Sequence, residues 1–97
     1  MRHTITLIPG DGIGPEITRS VQQIIAVAGV DVTWEEMPAR AEVERAGTDY
    51  LHSGMIESIR RNKVALKGPP ETGVIGGTRS INVGLRQELD LYSNLRP

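Results

Sequence analysis

Ser80, Asn82, Arg86 and Arg96 have the residue types and spacing of a cradle for a di- or tricarboxylate. Ser80 and Asn82 put a hydroxyl and an amide at the expected start of a helix. Free backbone N–H groups and the positive end of the helix dipole favour an anion there. Arg86 lies four residues beyond Asn82 and shares its face of that helix. Arg96 falls at the end of an expected following strand, from which it can converge on the same pocket. Guanidinium groups hold carboxylates through two parallel hydrogen bonds, a geometry that lysine lacks. A plainer assignment fits the same residues: Ser80 caps the helix, and Arg86 pairs with Glu88 or Asp90.

Two loops add further candidates. Lys67-Gly68-Pro69-Pro70-Glu71-Thr72-Gly73 follows a short apolar strand, the place where open α/β sheets collect ligands. A loop of that length inside a small domain is often functional. Gly10-Asp11-Gly12-Ile13-Gly14-Pro15 sits between a strand and a helix, as phosphate-binding turns do. Pro15, however, stands where a dinucleotide fingerprint needs its third glycine, and no Gly-Lys-Ser/Thr follows. This stretch therefore reads as a tight turn requiring positive φ. His3 and His52 have no metal-ligand partner at useful spacing and read as solvated. Glu35 with Glu36, and Glu42 with Glu44, read as exposed faces rather than as an acid–base pair. Met37 and Met55 read as core or edge filler.

The elements that must position these residues alternate along the chain. Residues 4–9 form an apolar strand stopped by Pro9-Gly10. Pro15 suits a first helical position, and Ile17, Val21, Ile24, Ile25 and Ala28 then give one apolar face, with Gly29 as the stop. Residues 30–37 read as a second strand, with Val30, Val32 and Trp34 on one side. A helical turn is expected over 41–46. A helix capped by Ser53 runs to about Asn62, with Met55, Ile56 and Ile59 inward. Residues 64–66 form a third, buried strand, 81–89 a last helix, and 91–95 a last strand. Strand and helix in alternation predict an α/β fold: a three-layer sheet of mostly parallel strands flanked by helices, with residues 1–97 as a single domain.

Composition narrows the function classes. The 97 residues carry a formal net charge of −1, so there is no basic field for nucleic acid. No apolar run approaches the roughly 20 residues of a membrane span. Cysteine is absent, which removes disulfides, thiol catalysis and cysteine-ligated metals.

Leu7-Ile8-Pro9-Gly10-Asp11-Gly12-Ile13-Gly14-Pro15-Glu16 resembles the opening motif of the β-decarboxylating dehydrogenases, which act on isocitrate, isopropylmalate, homoisocitrate or tartrate. Ala65-Leu66-Lys67-Gly68-Pro69 resembles the next signature of that family. The stretch from Gly76 to Arg86, then Glu88-Leu89-Asp90-Leu91-Tyr92 and Asn94-Leu95-Arg96-Pro97, resembles its isocitrate branch. The resemblance covers the whole chain in order. It implies that Ser80, Asn82, Arg86 and Arg96 bind the carboxylates of isocitrate. It also places Thr72 near nicotinamide and substrate and Lys67 at the border of the pocket, so these two are the cofactor-facing candidates.

The same resemblance implies an oxidative decarboxylation of isocitrate to 2-oxoglutarate with NAD or NADP and Mg2+ or Mn2+. The short N-terminus is similar to compact NAD-using members. In the family, the general-acid Tyr, a Lys from the neighbouring subunit, the metal-binding Asp residues and most of the adenine pocket lie beyond the position of Pro97. The chain is therefore expected to be an N-terminal segment without catalytic or metal-binding residues, inactive alone, cytoplasmic, and assembled as a homo-oligomer or with the remainder of the enzyme. Pro70-Glu71-Thr72-Gly73-Val74-Ile75 departs from the family pattern: Glu71 adds negative charge, and Ile75 replaces a usual Gly. The alternative function is a short stand-alone or regulatory homologue that binds citrate-like anions or a full-length partner without catalysis. A purely structural domain with a relic pocket is the third reading.

Overall fold

The computed structural model describes residues 2–38, 47, 54–69 and 81–97. Among them are β1 (His3–Ile8), α1 (Gly14–Val27), β2 (Val32–Glu36), α2 (Met55–Asn62), β3 (Ala65–Lys67) and α3 (Ile81–Glu88). The three strands form one parallel sheet in the order β2-β1-β3. The α/β expectation holds. The helical turn expected at 41–46 and the Ser53 cap lie outside the described residues; the N-cap position of α2 is Gly54, in the left-handed region at φ 100°.

This strand order decides where the helices go. The connection from β1 leads outward to β2; the next leads back across β1 to β3. Right-handed crossovers therefore put α1 and α2 on opposite faces of the sheet. The chain leaves β1 towards α1 and leaves β3 towards α3, which shares a core with α2, so the two strands send the chain to opposite faces, and the crevice beyond their C-terminal ends is where such sheets bind ligands.

On one face Ile8, Met55, Ile56 and Leu85 form the buried core, with Met37, Ile59 and Leu89 packed against it. The inward triplet expected on α2 is thus observed. The expected stripe on α1 is shifted around the helix. Gly14 and Thr18 are buried and Val21 and Ile25 half-buried, whereas Ile17 and Ile24 are 43% and 67% exposed. Ile17 and Ile24 lie on a part of the apolar arc that no described element covers.

The expected strand over 91–95 does not form. Residues 91–97 have no regular structure, and Leu91, Tyr92 and Leu95 are exposed. A strand exists only when its N–H and C=O groups meet a ladder partner. Among the described residues, β3 pairs with β1 alone.

The loops after β1 and β3 lock together through backbone. The Gly68 N–H donates to the Ile8 carbonyl at 2.7 Å, and the Asp11 N–H to the Pro69 carbonyl at 2.9 Å. Gly10 adopts φ 86°, and a Cβ there would stand 2.5 Å from the Pro69 oxygen. The tight turn expected at Gly10 is thus one half of a two-loop clasp.

Candidate functional site

Along β3, between that strand and the α2–α3 pair, lies a cavity of about 400 Å3 that runs from Lys63 and Ala65 to Lys67. Ile8, Ile59, Leu85 and Leu89 give it an apolar floor, a continuation of the core. Its polar lining is Lys63, Lys67, Asn82 and Arg86. Three of these four are cations, and no carboxylate, histidine or tyrosine is among the described lining residues. Such a wall attracts an anion and offers no carboxylate of its own to compete for the guanidinium.

Each polar group owes its position to an element already described. Lys67 ends β3, where the short strand delivers it to the ligand end of the sheet. Its ammonium donates to the Gly68 carbonyl at 2.9 Å. Burial, and secondly the Arg86 charge, hold the Lys67 amine below its ordinary pKa. Asn82 and Arg86 stand one turn apart on α3, as the four-residue spacing requires. Leu85, between them, anchors the helix in the core at 8% exposure. The Asn82 Oδ1 is buried and accepts no hydrogen bond from any described group. A buried acceptor left unmatched is costly, so this atom calls for a donor.

Of the residues picked out by sequence, the structure brings together Lys67, Asn82 and Arg86. Ser80 and Thr72 lie outside the described residues. Arg96 is exposed and is not among the residues lining the cavity, because the strand expected to carry it does not form. His3 is exposed, as expected.

Glu35 corrects the sequence reading. Glu36 is exposed, but Glu35 is half-buried and accepts hydrogen bonds from Ser58, Asn62 and Arg61. Ser58, 2% exposed, lies 2.7 Å from Glu35 Oε1 and 2.7 Å from Thr6 Oγ1. The Ser58 hydroxyl has one proton, which goes to the carboxylate, so the Thr6 hydroxyl donates to Ser58 Oγ. Asn62 Nδ2 completes the set by donating to Thr6 Oγ1 at 2.9 Å. This network ties α2 to β1 and β2. It contains no histidine, and its serine is sealed in, so it is structural rather than nucleophilic.

The Ser58 and Asn62 hydrogen bonds, with the Arg61 charge, hold the Glu35 carboxyl below its ordinary pKa of 4.5 against some desolvation. A carboxyl depressed in the folded state stabilises the fold above its unfolded pKa, and that contribution is lost as pH falls. The midpoint of urea unfolding is therefore expected to drop below about pH 4.5. Glu35→Gln should flatten that acid limb, and an unchanged limb would remove Glu35 from the account.

A second hollow, of about 440 Å3, lies at the opposite end of β1 against Arg2, Arg61 and Asn62. Three of its polar groups are engaged within the chain: Arg2 with Asp31, Arg61 with Glu35, and Asn62 with Thr6. No group of three or more His, Asp or Glu side chains that could hold a metal ion occurs among the described residues. No helix among them is long and apolar enough to cross a membrane.

Residues 4–97 match the family model described as isocitrate/isopropylmalate dehydrogenase. The chain belongs to that family. It is 50% identical over 94 residues to the mitochondrial isocitrate dehydrogenase [NAD] catalytic subunit 5 of Arabidopsis thaliana, covering 97% of this chain and 25% of that one. It is 53% identical over 92 residues to the chloroplastic 3-isopropylmalate dehydrogenase of Solanum tuberosum, covering 95% and 26%. A crystal structure of isocitrate dehydrogenase from Methylococcus capsulatus superposes with a TM-score of 0.81 at 49% identity, over 93% of this chain and 26% of that one. The chain spans about a quarter of the length of the isocitrate/isopropylmalate dehydrogenases it matches. The two stretches on which the resemblance to this family rests, Gly10 to Gly14 and Lys67-Gly68-Pro69, meet in the backbone clasp described above.

Proposed function

We propose that the chain forms the substrate-carboxylate half of an isocitrate-type site, with Arg86 and Lys67 binding carboxylates and Asn82 receiving the substrate hydroxyl. The observation that carries this is a cationic cavity, free of carboxylates among its described lining, with a buried, unmatched acceptor on one of its lining residues, Asn82. A simple polycarboxylate has no proton to give Asn82 Oδ1 at neutral pH; a 2-hydroxy acid does. Ser80, Thr72 and Arg96 join the site on the strength of the family resemblance.

The family's reaction adds hydride acceptance by a nicotinamide and polarisation by a divalent metal. Among the described lining residues this chain contributes neither a carboxylate nor a tyrosine for proton transfer. Its part is to bind and orient the substrate, and the chain alone is expected to form no NADH or NADPH from isocitrate. The relatives include both isocitrate and isopropylmalate dehydrogenases, and the Ser80–Asn82 pair favours the isocitrate branch.

Thermal unfolding tests this reading. Isocitrate at about 100 times its Kd should stabilise the chain by about 2.7 kcal/mol. Arg86→Ala, which removes a charge-assisted bond worth about 1.5–3 kcal/mol, should raise Kd by roughly ten- to a hundredfold. No stabilisation of the wild type, or equal stabilisation of the variant, would contradict the proposal.

A further inference from the structure

The chain contains only two lysines, Lys63 and Lys67, and both line the same cavity. They differ in setting. Lys63 closes α2 in the left-handed region at φ 67° and is exposed. Lys67 is half-buried at the end of β3, over the apolar floor and within reach of the Arg86 field.

We propose that Lys67 is a covalent modification site for small anionic aldehydes, with Arg86 holding the anion while the amine attacks the carbonyl carbon. The proposal rests on the anion-binding reading of the cavity. The step balances without an oxidant or reductant. The Lys67 nitrogen lone pair forms the C–N bond, and the carbonyl oxygen takes up the two amine protons and leaves as water. A C=N double bond remains. Three features of the structure favour this amine. Burial beside a second cation raises the fraction of Lys67 in its nucleophilic, uncharged form. No described carboxylate lines the cavity to restore the ammonium. The apolar floor gives the carbon skeleton of the aldehyde a surface to rest on.

The test uses the full chain with pyridoxal 5′-phosphate near pH 8, borohydride to trap the imine, and peptide mass mapping. Lys67 should be labelled faster than Lys63 by about fivefold or more. Excess isocitrate should protect Lys67 and leave Lys63 unprotected. Pyridoxal without the phosphate, and Arg86→Gln with wild-type circular dichroism, should each reduce the preference. Equal labelling of the two lysines overturns the proposal; if that chain still binds isocitrate, the anion site survives without it. Preferential labelling that isocitrate does not block, and that pyridoxal reproduces, also overturns it, because the anion then plays no part.

Discussion

Gly68→Ala is expected to destabilise the chain by about 3 kcal/mol or more, the upper end of the overpacking range. A Cβ at Gly68 would stand 2.0 Å from the Pro9 carbonyl oxygen, 2.8 Å from its carbon and 3.2 Å from Thr18 Cγ2. The first two are backbone atoms held by the Gly68–Ile8 hydrogen bond, so no rotamer change relieves the clash. Folded domains hold only about 5–15 kcal/mol in reserve, and one of this size sits low in that range. The corresponding fall in Tm is roughly 12–24 °C. Gly29→Ala is the control. Gly29 sits at φ 85° with nothing within 4 Å of an added Cβ, so its cost is the left-handed backbone alone, about 1 kcal/mol. Similar Tm values for the two variants would mean that the clasp is not the tight junction described.

Met55→Ala should cost about 2–5 kcal/mol, the range for truncating a buried methionine. Met55 is 0% exposed and belongs to the cluster with Ile8, Ile56 and Leu85 that floors the cavity. Leu85 immediately precedes Arg86, so slack at Met55 also loosens the helix that presents Asn82 and Arg86. Urea unfolding should show a lower midpoint at an unchanged slope. Met55→Leu, which conserves volume, should cost less than about 1.5 kcal/mol. If Met55→Ala cost no more than Met55→Leu, the cluster would not be the core of this fold.

Local patterns made much of this structure legible in the sequence. The 3.6-residue spacing placed Met55, Ile56 and Ile59 inward, and the four-residue step from Asn82 to Arg86 put both on one face of α3. What the sequence hid depends on distant neighbours. Glu35 reads as an exposed acid until the register sets it beside Thr6, opposite Ser58 and Asn62. Those two residues are themselves four apart on α2, a polar pair facing a sheet, and that was the signal available. The glycine turn and the Lys-Gly-Pro loop look like separate features in the sequence because their contact is between backbones and leaves no side-chain pattern. The strand expected at 91–95 failed for a related reason: alternation in a strand says nothing about whether a partner is there to pair with it.

The central claim is that the cavity beside Lys67, Asn82 and Arg86 recognises a hydroxylated polycarboxylate. Calorimetric titration of the 97-residue chain with isocitrate and with tricarballylate, its analogue lacking the hydroxyl, tests this most directly. Leaving Asn82 Oδ1 unmatched is worth about 1–3 kcal/mol, so isocitrate should bind more tightly by roughly five- to a hundredfold, and Asn82→Leu should erase the difference. Equal affinity for the two acids in the wild-type chain, or no binding of either, would contradict the account.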